Sequence, residues 1–281
     1  MEKENIPKVS FLRKIFIFFL VLIISIILYS YFIGTKGLVV KEYSIKNSKL
    51  PDSFQGLKIV HFSDLHFGST VRTPELKKII NQINLLKPEI IFFTGDLIDK
   101  DAKVSKDDLV ELIALLNSLD AVNTYMVKGN HDFINSYEEI LKNLNIKLLQ
   151  NQSELFYYND NTPIMIIGLD DYLNGKEDIT KAFENYSEEY YTILLTHEPD
   201  VVLKLNDYEP DIILAGHSHN GQVRLPFIGS IVKVKGAEHY YDEKYYIDDI
   251  PLFISGGLGT SKYPFRLFNH PSINFYRFYN K

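Results

Sequence analysis

Five short polar clusters recur along the chain, each just past an apolar run. Asp64 and His66 follow residues 59–62, and Asp96 and Asp99 follow residues 91–94. Asn130 and His131 follow residues 125–127, His197 follows residues 192–196, and His217 and His219 follow residues 212–215. Carboxylate, imidazole and amide oxygen together suit Mn²⁺, Zn²⁺ or Fe. Thiolates cannot contribute, because the chain has no cysteine. The seven candidate ligands Asp64, His66, Asp96, Asn130, His197, His217 and His219 exceed what one tetrahedral ion needs. Two ions sharing a carboxylate fit that number. Such a pair, about 3.5–4 Å apart, can hold both oxygens of an in-line displacement at phosphorus. Taken singly the clusters say little: Asp96-x-x-Asp99 could cap a helix, and residues 130–132 could form a turn. The weight lies in their order and shared placement. Gly95, Gly129 and Gly216 each directly precede a candidate ligand, where a missing Cβ lets the backbone turn sharply.

The remaining polar residues read differently. His61 lies inside an apolar run, and His239 and His270 lack ligand-like neighbours; all three are expected to be structural. Asp170-Asp171 and Asp248-Asp249 are expected in solvated loops, and the Tyr pairs at 157–158, 190–191, 240–241 and 245–246 in strands and rims. Arg224 and Arg266 are candidate phosphate contacts.

Positioning such clusters requires strands that end at one edge. Residues 57–62, 90–94, 125–127, 164–169, 192–196 and 212–215 are short apolar runs, consistent with buried strands. Between them, Leu76, Ile79, Ile80, Ile83 and Leu86 recur at helical spacing after Thr73-Pro74, with Pro at the first helical position. Leu109, Leu112, Ile113 and Leu116 do so after a Ser105 cap, and Ser136-x-x-Glu139 predicts a capping box. Strand–helix alternation predicts a parallel core sheet, with ligands collected beyond the strands' carboxyl ends. From Gln222 onward, turns and aromatics predict further strands, antiparallel in arrangement. The fold class is therefore α/β, a two-sheet sandwich flanked by helices.

The chain of 281 residues carries a net charge of -6 and no long basic block, which argues against a stable nucleic-acid partner. Residues 15–33 are free of charge, with Ser25 and Ser30 their only polar members apart from tyrosines. As a helix they span about 29 Å, one hydrocarbon thickness. No small-x-small cleavage site follows, so an uncleaved transmembrane anchor is expected rather than a signal peptide. Lys3, Lys8, Arg13 and Lys14 before the run place residues 1–14 in the cytoplasm. Residues 34–50 then form a linker and first strand, residues 51–281 the catalytic domain, and the location is the cell membrane with that domain outside.

The series Asp64-x-His66, Gly95-Asp96-x-x-Asp99, Gly129-Asn130-His131-Asp132, His197 and Gly216-His217-x-His219 resembles the calcineurin-like metallophosphoesterase superfamily over residues 57–279. The anchor, the segment Ser255-Gly256-Gly257-Leu258-Gly259-Thr260, Pro264 and Arg266 resemble its membrane-associated branch of YkuE/YaeI-like phosphodiesterases, related to a UDP-2,3-diacylglucosamine pyrophosphatase type. The resemblance implies a four-layer α/β/β/α sandwich of two mixed sheets. It implies that Asp64, His66 and His219 bind one metal, that Asn130, His197 and His217 bind a second, and that Asp96 bridges. It gives His131 the role of catalytic histidine, polarised by Asp99. The implied activity is hydrolysis of a phosphodiester or pyrophosphate, of an envelope or lipid-linked substrate, through attack by a metal-bound hydroxide. A nucleotide phosphodiesterase or nuclease is the alternative, followed by a non-catalytic binding protein.

Overall fold

Apolar runs too short to make helices form strands buried on both faces. A computed structural model describes residues 10–280. Two six-stranded sheets build the domain. The first runs in the order Val39–Lys46 (β1), Ser272–Tyr279 (β14), Lys58–Phe62 (β2), Ile90–Phe93 (β3), Asn123–Met126 (β4) and Lys147–Leu148 (β5). The second runs Lys244–Ile247 (β12), Ile250–Ile254 (β13), Ile212–Ala215 (β9), Thr192–Leu195 (β8), Ile164–Gly168 (β7) and Gln152–Phe156 (β6). A separate small ribbon pairs Arg224–Leu225 (β10) with Gly229–Ser230 (β11).

Side chains alternate between the faces of each strand, and that alternation sorts the core. Ile59, Phe92 and Tyr125 of the first sheet meet Ile193, Leu214 and Phe253 of the second. On the outer face of the first sheet, Val60, Ile91 and Phe93 pack with Leu76, Ile79, Ile80 and Ile83 of Thr73–Leu86 (α2) and Leu112 and Leu116 of Lys106–Leu116 (α3). The outer face of the second sheet is covered more thinly. Ala182 of the short helix Ile179–Ala182 and Val201 and Val202 of the 3₁₀ helix Pro199–Lys204 lie against Met165, Ile167 and Ile213. The layers are thus helix, sheet, sheet, helix.

β2, β3 and β4 are mutually parallel, as are β7, β8, β9 and β13. The final segment is mixed rather than purely antiparallel. β13 adds parallel to β9, and β14 lies parallel to β1 but antiparallel to β2. β10–β11 and β12–β13 close as antiparallel hairpins, the second with exposed Asp248 and Asp249 at φ 46° and 70° in its turn, where short polar residues tolerate left-handed backbone. The Ser136 capping box is not made. Ser136 has helical backbone angles and no side-chain cap bond, whereas Ser105 makes its box with Asp108.

The helix Phe11–Phe32 (α1) has a mean hydropathy of 2.8 and buries only Ser30. It starts before the expected residue 15, taking Arg13 and Lys14 into its first turn. Ser25 and Ser30 donate their hydroxyls to the Val21 and Ile26 carbonyls, so neither presents an unpaired polar group. Residues 1–9 of the expected cytoplasmic tail lie outside the described residues.

Candidate metal centre

The loops leaving β2, β3, β4, β8 and β9 bring the seven candidate ligands to one edge of the sandwich. Asp64, His66 and His197 are fully buried and Asp96 and His219 nearly so. Asp64, His66 and His219 form one group of converging donor atoms; Asp64, Asp96 and His197 form a second; His197, Glu198 and His217 form a third. Asp96 Oδ2 stands 3.5 Å from His66 Nε2 and 3.3 Å from His197 Nε2, so a single oxygen faces both sides of the cluster. His219 Nε2 lies 3.4 Å from Asp64 Oδ1 and 3.2 Å from His66 Nε2.

Neighbours fix which ring nitrogen His197 and His217 offer. His197 donates Nδ1–H to the Thr94 carbonyl at 2.6 Å, leaving Nε2 toward Asp96. His217 donates Nε2–H to the Lys235 carbonyl at 2.8 Å, leaving Nδ1 free. Such outer contacts orient ligating imidazoles and select their tautomer. His66 Nδ1 stands 3.6 Å from Asp99 Oδ2, too far for a hydrogen bond, so its tautomer is not fixed in the same way.

The backbone here is strained. Asp64, His66, Asp96, His217 and His219 all have positive φ, between 42° and 66°, a region that costs an L-residue roughly 1–2 kcal/mol. Left-handed turns immediately after the strands aim these side chains into the shared cavity. The glycines meet the expected purpose at one position of three. Only Gly95, at φ 89°, needs left-handed freedom. Gly129 and Gly216 are close approaches: a Cβ would sit 2.4 Å from Asp96 Oδ1 at the first and 1.9 Å from Ser63 Oγ at the second.

Electrostatics suit cation binding. Burial lowers His66 to about 3 and His217 to about 4, and holds His219 well below the usual imidazole range, so these rings are neutral donors. Burial would raise Asp96, but His197, His66 and His131 together hold it well below the usual carboxylate value. Burial raises Asp64 to about 7, against the pull of His197. The donor set fits divalent metal ions. His197 Nε2, His66 Nδ1 and Asn130 Oδ1 are buried without a hydrogen-bond partner, a cost that coordination, or a partner brought with it, would remove.

His131 sits at the rim of this cluster. Its Nδ1 accepts from the Lys100 amide at 3.3 Å, which leaves Nε2–H as a donor, and its own amide donates to Asp96 Oδ1 at 2.7 Å. Asp99 forms no hydrogen bond with His131 among the described residues, and the two share one cluster with His66.

Several residues escaped sequence reasoning. The Asp132 carboxylate accepts from the amides of Asp96, Leu97 and Gly129 at 2.8–2.9 Å, fastening the β3 loop to the β4 loop. Its place at the end of Gly-Asn-His-Asp was the available signal. Asp170 and Asp171, expected in solvent, are buried. Their loop folds back on itself: Asp170 accepts from Gln150 and the Lys176 amide, and Asp171 from the Asn174 and Gly175 amides. Glu198 beside Asp171 is pushed well above the carboxylate range by burial. Arg266 is not free for phosphate: it is wholly buried and donates to the carbonyls of Gly256, Gly257, Gly259 and Asn269. Arg224 engages the Asn220 carbonyl and Asp242 through Nη1. His61 is structural, between Thr94 and Tyr276. His239 contacts Asp200, and His270 the Lys36 carbonyl.

Residues 57–221 match the family model described as calcineurin-like phosphoesterase. The uncharacterized metallophosphoesterase YkuE of Bacillus subtilis is 34% identical, over 83% of this chain and 82% of its own length. A cattle relative named as a transmembrane protein with metallophosphoesterase domain is 33% identical, over 62% of this chain and 43% of its own. The UDP-2,3-diacylglucosamine pyrophosphatase LpxG of Chlamydia muridarum is 28% identical, over 80% of this chain and 85% of its own.

Proposed function

Since the chain belongs to the calcineurin-like phosphoesterase family, a family of metal-dependent hydrolases, we propose that it is a two-metal hydrolase of phosphodiester or pyrophosphate bonds in lipid-linked or envelope substrates. The single observation that carries the two-metal reading is the Asp96 oxygen shared between His66 and His197. Asp64, His66 and His219 would hold one ion and Asn130, His197 and His217 the other, with Asp96 between them. The donor set suits Mn²⁺, Zn²⁺ or Fe. Bound metals would supply Lewis-acid stabilisation of the phosphoryl oxygens and ease deprotonation of water.

The chain's own residues do the rest. His131 presents Nε2–H to the leaving oxygen and acts as general acid. Its position is fixed by the Lys100 amide on Nδ1 and by its own amide on the Asp96 carboxylate. Asp99, clustered with both His66 and His131, is a positioning residue that would polarise His131 in the reacting complex. Support for a lipid-linked substrate comes from α1, which is long and apolar enough to span a membrane, and from the relatives whose names include a transmembrane protein and a diacylglucosamine pyrophosphatase.

Hydrolysis of bis-p-nitrophenyl phosphate with added Mn²⁺ tests the chemistry. Asp96→Asn should abolish turnover and weaken metal retention. His131→Ala should lower kcat by roughly 10²–10⁴-fold while bound metal, measured by elemental analysis, stays near wild type. Undiminished kcat in His131→Ala would remove it from catalysis. A substrate panel decides the class: faster cleavage of cyclic nucleotides or single-stranded DNA than of lipid-linked pyrophosphates would overturn the substrate reading.

A further inference from the structure

The end of α1 is built into the catalytic domain. The Arg266 amide donates to the Ser30 carbonyl at 3.0 Å, and the Tyr31 ring stands edge-on to Phe265 at 5.8 Å. At Gly34 a Cβ would lie 1.8 Å from the Arg266 carbonyl oxygen, so the linker passes flush against that segment. The same segment carries a hairpin. Leu267 donates to the Gln222 carbonyl at 3.2 Å, Arg224 donates back to the Leu267 carbonyl at 3.0 Å, and β10 and β11 follow at once.

The tip of this hairpin is Leu225-Pro226-Phe227-Ile228. Phe227 is fully exposed, Ile228 is 72% exposed, and Ile231, Val232 and neighbouring Phe268 are each more than half exposed. Phe227 also has φ 65°, a turn position where Gly or Asn would be unstrained. An apolar patch of this kind marks an interaction surface. Residues 222–237 hold Arg224, Lys233 and Lys235 and no acidic residue, within a chain of net charge -6. Phe227 lies four positions along the chain from Val223, which pairs with Leu267; the tip is therefore within roughly 14 Å of the segment that grips α1.

We propose that the β10–β11 hairpin inserts its apolar tip into the interface of the same bilayer that α1 spans, with exposed Lys235 facing lipid headgroups. Continuity with α1 selects lipid as the occupant: the segment that binds the last turn of the helix also pairs with the hairpin strand. Interfacial insertion of aromatic and aliphatic side chains beside basic residues is the chemistry of membrane-surface elements. The chain after the hairpin reaches the metal cluster, since the Lys235 carbonyl accepts from His217. The hairpin therefore forms the rim of the site and holds it against the surface from which a lipid-linked substrate comes. This inference rests on the membrane reading of α1 and on the substrate class proposed above.

The chain has no tryptophan, so Phe227→Trp is a single-tryptophan reporter. The full-length variant is reconstituted in phosphatidylcholine–phosphatidylglycerol vesicles whose acyl chains are brominated near the headgroup. The expected result is blue-shifted emission that the brominated lipid quenches by more than half, while Val110→Trp on exposed α3 stays solvent-like and unquenched. Solvent-like emission from the Phe227→Trp variant, in protein that floats with the vesicles, overturns the inference and leaves the anchor standing. Blue-shifted but unquenched emission, with cross-linking between tips, assigns the patch to a second copy and overturns it too. Protein that does not float overturns the membrane reading, and this inference with it. The activity arm is independent of the fluorescence. Phe227→Asp with Ile228→Asp should slow hydrolysis of a vesicle-embedded lipid pyrophosphate about tenfold or more, the weight of one buried aromatic side chain. Hydrolysis of bis-p-nitrophenyl phosphate should be unchanged. Equal loss on both substrates would count against the hairpin; loss of the soluble reaction in the wild type would count against the phosphoesterase reading.

Discussion

His61 is wholly buried between Thr94 and Tyr276, and burial holds its imidazole at about 3, far below the 6.5 of an exposed ring. The unfolded chain therefore binds a proton before the folded chain does, and the stability present above pH 6.5 is lost as pH falls toward 3. His61→Gln keeps hydrogen-bonding capacity without a titrating group. Its unfolding free energy in chelator, from urea melts, should fall less steeply with acid than wild type, by about 1.4 kcal/mol per pH unit inside that window. Parallel slopes would mean that His61 is not held neutral. At this scale the sequence exposed the residues that meet at the cavity, because Asp, His and Asn after apolar strands have few other reasons to recur. It concealed those that act through backbone: Asp132 and Arg266 bind amides and carbonyls, and main-chain geometry leaves no mark on residue type. It paired Asp99 with His131, and the fold brings Asp99 into one cluster with both His131 and His66.

The elements that position the site are strands ending in turns tighter than their sequence suggests. At Gly216 the backbone passes so close to Ser63 and Asp64 that a Cβ would stand 1.9 Å from one side chain and 2.8 Å from the other. Gly216→Ala must displace the Ser63 hydroxyl from the Thr94 carbonyl or push Asp64 out of line. A shift of order 1 Å costs roughly a hundredfold in rate, so turnover should fall by about that factor, with weakened metal retention. Adding Ser63→Gly removes the worse clash and should restore part of both. If Gly216→Ala alone keeps full activity, the close approach does not matter. The central strands were readable because burial on both faces makes them continuous apolar runs, and the helices because burial falls on every third and fourth residue. The arrangement of β12, β13 and β14 was not, since strand direction in a mixed sheet follows from long-range pairing, such as β14 with β1 and β2, that no local pattern records.

At the scale of the whole molecule, the last turn of α1 meets the domain through the Ser30–Arg266 bond and the Tyr31–Phe265 contact. Arg13 and Lys14 open the helix, and the linker after it leads straight into β1, a strand of the catalytic sheet. The cationic end of a span stays on the cytoplasmic side, and on that ground we propose that the domain lies outside. The absence of cysteine makes this directly measurable. Leu203→Cys sits on an exposed part of the domain, and Glu4→Cys precedes the helix. A membrane-impermeant maleimide applied to intact cells expressing the full chain should label the first and leave the second unlabelled until the cells are permeabilised. The reverse pattern would invert the orientation and bring the metal cluster to cytoplasmic substrates. Labelling of both without permeabilisation would mean that α1 does not span the membrane, and the hairpin would then have no bilayer to meet.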